Sequence, residues 1–275
     1  DALEIEEKLV SIFSTIPETS SSISSNFSEM PYYEKIRTKV FSDSDMTTSL
    51  ISLMFKHPAN VIREEKDVER KVAYSIIRMM LEQRLYHLTD KELSSFLNLN
   101  CLLYPYTQPM EVFEIEAQCL EEDILSGTKD VLAELKRLCD YGFTRSEIER
   151  AKNDYLYQLK NEDDYEIKVN SKRLIRKYAE HFINESEVID PRIFREVTVN
   201  SIKSLTRLQI NDYVNELFNH DQYVVSLFVP DRSNSPVCTE QDIENILSQV
   251  KQQALPPWQD EIDGRNLDLE FSEKG

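Results

Sequence analysis

Two pairs of strand-like segments, each pair followed by an amphipathic helix, constrain this chain more than any single motif. Glu34–Ser42 alternates, with Ile36 and Val40 on one face. Ser49–Lys56 (Leu50-Ile51-Ser52-Leu53-Met54-Phe55) is more continuously apolar, as a central strand is. Asp43-Ser44-Asp45 turns between them and Pro58 closes the second. Glu64–Leu88 then reads as a long helix, with Val68, Val72, Ile76, Met79 or Met80 and Leu85 at helical spacing. Phe96–Leu103 and Glu111–Leu120 form the second pair, joined by a loop holding Pro105 and Pro109. In the later strand Val112 faces away from Phe113, Ile115 and Ala117. Asp123–Asp140 carries a helical stripe of Ile124, Thr128, Val131, Leu135 and Leu138.

The rest is mainly helical. Gly142 sits just past the stripe, where a left-handed residue ends a helix without a Cβ clash. Thr144-Arg145-Ser146-Glu147 is a capping box that restarts a helix at once. That helix runs through Ile148, Ala151, Tyr155 and Leu159 toward Phe182, with Glu162-Asp163-Asp164 as a point of interruption or bending. Asp190-Pro191 and Thr206–Gln209 open two more helices. Tyr223–Val229 is a final buried strand stopped by Pro230, and Thr239–Gln252 a last helix. Strands without regular βαβ alternation predict an α+β fold, an antiparallel sheet with helices packed on one face.

The flanks differ from this body. Residues 1–16 form a helix ended by Pro17, with Leu3, Leu9, Ile12 and Phe13 on or near one face. The predicted organisation is a terminal helix at 1–17, a Ser-rich linker at 18–33, one domain at 34–252 and a linker at 253–275. Of the net charge of -18, residues 1–30 carry -5 and 239–275 carry -6. An acidic chain is a poor partner for nucleic acid, whose phosphates need a basic face. No apolar run approaches the roughly 18 residues of a membrane span.

Composition excludes several chemistries. Four glycines in 275 residues, none close together, rule out a P-loop, a dinucleotide turn and a nucleophile elbow. His57, His87, His181 and His220 never fall four apart, so neither H-E-x-x-H nor H-x-x-E-H is present. Cys101, Cys119, Cys139 and Cys238 form no C-x-x-C pair and read as buried free thiols. Glu121-Glu122-Asp123 suits a helix start, and Glu162-Asp163-Asp164 a solvated face. Lys172-Arg173 and Arg176-Lys177 make a small basic patch on a helix, read as a solvated face or a site for an acidic partner. The residues alone yield no catalytic site and no metal site, and leave the substrate-binding residues undefined.

Three stretches together resemble one unit of the insulinase/pitrilysin-like zinc metallopeptidases, the family of mitochondrial processing peptidase. Asp43-Ser44-Asp45-Met46-Thr47-Thr48-Ser49 running into Ser52-Leu53-Met54-Phe55-Lys56-His57-Pro58 resembles the opening strands of the non-catalytic middle unit. Tyr141-Gly142-Phe143-Thr144-Arg145-Ser146-Glu147-Ile148-Glu149-Arg150-Ala151-Lys152 is very similar to the family's G-F-T-x-x-E-L-x-x-A-K junction, the most specific of the three. Thr206–Val214 with Tyr223–Pro230 resembles its closing helix and strand. The resemblance covers about residues 34–252, and residues 1–17 resemble the last helix of the preceding unit.

The resemblance implies a LuxS/processing-peptidase-like half-unit that walls a chamber opposite a separate, zinc-bearing catalytic domain of the same polypeptide. Zinc, held by H-x-x-E-H and a distant Glu, is then expected in that domain and not here. Peptide substrate is the other partner implied, and a bacterial envelope or an organelle the setting. The family's carbonyl-binding Arg and Tyr have no matching pair: Thr89, Asp90 and Lys91 occupy the Arg region and Phe96 the Tyr region. A structural, chamber-forming role is expected, with a non-enzymatic scaffold of the same fold as the alternative.

Overall fold

The alternating and helical periodicities become five strands and eight α-helices among the described residues of a computed structural model: 1–17, 35–89, 96–107, 110–166, 171–218, 222–231 and 238–260. The expected linker at 18–33, Pro109, His220 and residues 261–275 lie outside them. Two units are distinguished, Asp1–Pro31 and Tyr32–Gly275.

The first unit holds helix α1 (Ala2–Phe13). Asp1 caps it by accepting a hydrogen bond from the Leu3 amide at 3.3 Å. None of its residues is buried, and Leu3, Ile5, Leu9, Val10, Ile12 and Phe13 are all exposed.

The second unit is built on a sheet of β1 (Arg37–Asp43), β2 (Ser49–Pro58), β3 (Phe96–Thr107), β4 (Met110–Cys119) and β5 (Tyr223–Pro230), ordered β1-β5-β2-β4-β3. Three of the four pairings are antiparallel, and β1 runs parallel to β5. Thus β1 and β2, consecutive in sequence, are separated by the last strand. The second pair behaves differently from its sequence pattern at one point. Strand β3 continues through Pro105 to Thr107, where a loop was expected. An edge strand tolerates this, because the missing proline amide is not needed for a second ladder.

Alternation along each strand divides the sheet into two faces. Ile51, Leu53 and Phe55 of β2 share one face with Phe113, Ile115 and Ala117 of β4 and Val225 and Leu227 of β5, all in the main core. The helical layer packs there: α2 (Glu65–Thr89), α3 (Ile124–Tyr141), α4 (Arg145–Glu166), α6 (Pro191–Ser204), α7 (Arg207–Leu217) and α8 (Glu240–Gln252). Helix α2 supplies Val68, Val72, Ile76, Ile77, Met80, Leu81 and Leu85. Helix α4 runs through Glu162-Asp163-Asp164 without a break, and α5 (Ser171–Asn184) is a separate helix. Gly127 lets α3 approach the sheet, since a Cβ there would lie 3.0 Å from the Phe96 ring and 3.2 Å from Ile51.

Candidate functional site: the second sheet face and its free edge

The face of the sheet turned away from the helical core is where polar side chains gather. Register places Asn100, Glu116, Ser52, Ser226 and Lys39 in one transverse row. The next row holds Leu102, Glu114, Met54, Val224 and Arg37. Burial is deepest at the centre: Ser52, Val112, Glu114 and Ser226 are buried, whereas Arg37, Lys39, Asn98 and Leu102 are exposed.

Glu114 organises the centre. Its carboxylate accepts hydrogen bonds from the Ser52 hydroxyl and the Tyr104 hydroxyl, each at 2.5 Å. Three neighbouring strands are thereby tied together on this face. Burial, then the carboxylate of Glu114, push Glu116 above the usual carboxylate range. Burial and the bond to Glu114 likewise raise the Tyr104 phenol. The face presents an acidic, amide-rich half and a basic half at Arg37 and Lys39.

The two edges of the sheet are treated differently. At β1, Arg37, Lys39 and Asp43 place charge on the edge. Glu240 at the start of α8 pairs with Lys39 at 3.0 Å and accepts from the Val40 amide at 3.4 Å. At β3, twelve residues carry no charge at all, and Leu97, Leu102 and Tyr106 are exposed. Edge strands are ordinarily guarded by charge or cover, because their unpaired amides and carbonyls template another strand. Pro105 and two register irregularities blunt parts of β3, but it has no charge, and an uncharged edge is suited to an added extended peptide.

A second, buried cluster lies at the G-F-T-x-x-E junction. Arg84 of α2 is 1% exposed and donates through Nε and Nη2 to the two carboxylate oxygens of Glu147, at 2.5 and 2.8 Å. Nη2 also donates to the Gly142 carbonyl at 2.9 Å, and Nη1 lies 3.6 Å from Glu134. The guanidinium sits 4.6 Å from the Phe143 ring. Glu147 closes the capping box by accepting from the Thr144 amide at 2.7 Å, while the Glu147 amide donates to the Thr144 hydroxyl at 3.3 Å. The motif residues are therefore a structural keystone joining α2, α3 and α4. Glu134, paired with Arg137 as well, is pushed up to about 7 because burial outweighs the two cations.

The sequence-flagged groups do not converge. His57 is buried between sheet and helices, hydrogen-bonded to the Leu217 backbone, and burial lowers it to about 4. His87 lies against the Trp258 ring at 5.6 Å. The exposed His181 makes its 2.6 Å Nδ1 contact to the Ser186 carbonyl. Among the described residues no group of three or more His, Cys, Asp and Glu side chains could hold a metal ion. The cysteines are free; burial pushes Cys119 and Cys139 up to about 12 and Cys238 to about 11, far from thiolate chemistry. Glu121–Asp123 forms a 3-10 turn leading into α3. Phe96 is buried against Gly127, and Asp90 and Lys91 lie outside the described residues. The Ser52–Glu114–Tyr104 triad and Arg84 were missed as a set. Their only sequence signal was a polar residue inside an apolar element, which does not reveal its partner.

No family model matches the chain. Comparison of folds finds the first half of the periplasmic protease PqqL from Escherichia coli with a TM-score of 0.78 at 14% identity, covering 94% of this chain and 55% of that one. A predicted insulinase family protease from Yersinia pestis gives 0.75 at 15%, covering 91% and 53%. The fold is that of an insulinase-family peptidase unit. A peptidase M16 inactive domain from Pseudomonas fluorescens also aligns, with a TM-score of 0.51 at 19% identity over 75% of this chain and 48% of that one. In sequence, the probable zinc protease PqqL of Escherichia coli is 20% identical over 179 residues, 61% of this chain and 19% of the relative. The chain thus spans about half the length of these two solved chains and a fifth of the curated relative. No described helix is long and apolar enough to cross a membrane.

Proposed function

We propose that this chain is a non-catalytic unit of a zinc metallopeptidase, forming a chamber wall opposite a zinc-bearing domain and helping to enclose peptide substrate. The observation that carries the reading is the likeness to halves of insulinase-family proteases, an inactive M16 domain among them, combined with histidines that serve three unrelated local structures. Among the described residues no set of side chains could hold zinc; in this reading the metal-bound water and its Glu base belong to the partner domain. The contribution of this chain is shape, a polar wall and the uncharged β3 edge.

The proposed organisation keeps 34–252 as the wall domain, with residues 1–17 as the terminal helix of a preceding domain. The wholly exposed apolar face of α1 supports the latter, since such a face is ordinarily buried against a partner.

Zinc analysis and a peptide-cleavage assay on the purified chain test the reading together. The expected result is no stoichiometric zinc and no metal-dependent cleavage. Stoichiometric zinc with chelator-sensitive proteolysis would overturn it. Binding of extended peptides without cleavage, weakened when Leu102→Lys charges the β3 edge, is expected of the wall; a variant that binds equally well removes the edge from the proposal.

A further inference from the structure

Residues 253–260 have neither helical nor strand structure, yet they are held at four places. Leu255 is buried, and its carbonyl accepts from the Tyr141 hydroxyl at 2.8 Å. The Pro256 carbonyl accepts from Arg137 Nε at 3.1 Å. The Trp258 ring lies 5.2 Å from the Arg84 guanidinium and 5.6 Å from the His87 ring. Asp260 accepts from the Ser146 hydroxyl and from Arg150 Nη1, both at 2.6 Å. The anchors come from α2, α3 and α4. Two of them, Arg84 and Arg137, also serve Glu134 inside the buried cluster.

We infer that residues 253–260 are a docked strap, latched to the Arg84 keystone, that fixes Asp260 on the first turn of α4. A free segment would be expected to run through solvent. This one instead crosses the α3–α4 junction and ends on the first turn of α4. Pro256-Pro257 lowers the entropy cost of docking, because each ring fixes its own φ and the first proline is itself restricted by the second. Docked, Asp260 lies beside Arg150. Released, eight residues of about 3.4 Å each could carry Asp260 ~27 Å from the end of α8. The position of Asp260 is thus coupled to the junction that holds the helical layer together. This goes beyond the wall function and does not depend on it.

Trp258 is the single tryptophan, so its fluorescence reports the strap directly in the intact chain. In the wild type, the expected emission is blue-shifted and protected from acrylamide. Asp260→Ala and Arg150→Ala are each expected to shift it toward that of solvated tryptophan. They should also raise the acrylamide quenching of Trp258 severalfold, since each removes one charge-assisted hydrogen bond that holds the strap down. Far-UV circular dichroism should be unchanged. Tyr141→Phe removes only a hydroxyl and provides a milder variant with the same direction of effect. Wild-type Trp258 quenched as readily as free tryptophan would overturn the inference. So would emission and quenching unmoved in all three variants.

Discussion

Arg84 is the residue on which the helical layer turns. A guanidinium buried to 1% exposure is tolerated only because two carboxylates, a carbonyl and two aromatic rings replace its water. Removing one partner leaves the others charged and buried. Arg84→Ala and Glu147→Ala are each expected to lower unfolding free energy by about 3–5 kcal/mol in urea denaturation. Arg84→Lys should recover only part, because an ammonium cannot span both oxygens of Glu147. A loss below about 1 kcal/mol for Arg84→Ala would contradict the keystone role. Gly142 beside it has φ +69°, and a Cβ would come within 2.4 Å of the Asn211 side chain, so Gly142→Ala is strained twice over.

Two buried titrating residues give the stability a compensated pH profile. His57 falls from 6.5 to about 4 on folding through desolvation. The unfolded state therefore binds more protons between pH 4 and 6.5, and stability rises with pH across that window. Glu134 is raised from 4.5 to about 7, again chiefly by desolvation. The folded state then binds more protons between 4.5 and 7, and stability falls with pH there. The contributions of these two residues oppose each other across pH 4.5–6.5 in the wild type. His57→Gln should expose the falling limb and Glu134→Gln the rising one, each on the order of 3 kcal/mol across its window. Thermal or urea midpoints against pH measure this; two variants with the wild-type profile would contradict it. Neither residue could be assigned from sequence: a histidine closing a strand and a glutamate within a helix look like surface residues until their neighbours are known.

At the scale of elements, what was legible is what depends on local period. Helices α3, α7 and α8 and strands β2, β4 and β5 start and stop close to where stripes, capping boxes and prolines placed them. The capping boxes at Thr144 and Thr206 are both formed. The order of strands was not legible, because β5 enters between β1 and β2 from more than 160 residues away and no local pattern encodes that pairing. The Ser52–Glu114–Tyr104 contact was hidden for the same reason: it exists only once three strands are in register. Helix α5 is the element that least resembles a finished surface. Ile175, Tyr178, Phe182 and Ile183 are exposed on it, Phe182 to 88%. Replacing Ile175 and Phe182 by Glu is expected to change unfolding free energy by no more than about 0.5 kcal/mol per site. The same change should reduce binding of a hydrophobic dye and concentration-dependent association. A large loss of stability would mean that the face is already buried in solution.

For the whole molecule, the two-unit division changes how the charge and length should be read. The first 30 residues carry -5 of the -18, and α1 contributes no buried residue to any core. A helix of twelve residues is marginal alone in water, since nucleation is costly and few hydrogen bonds follow. Its exposed apolar stripe is therefore an unsatisfied surface, which the proposed preceding domain would cover. Two measurements follow from this. Deleting residues 1–31 is expected to leave the unfolding free energy of the remaining unit within about 0.5 kcal/mol, because α1 buries none of its own residues. A peptide of residues 1–17 is expected to be weakly helical in water. Within a longer chain whose preceding domain covers the stripe, amide exchange along α1 should slow, because the helix can then open only when the cover is removed. If the deletion instead destabilises the rest by several kcal/mol, α1 belongs to the wall domain, and the proposed boundary at 17 moves.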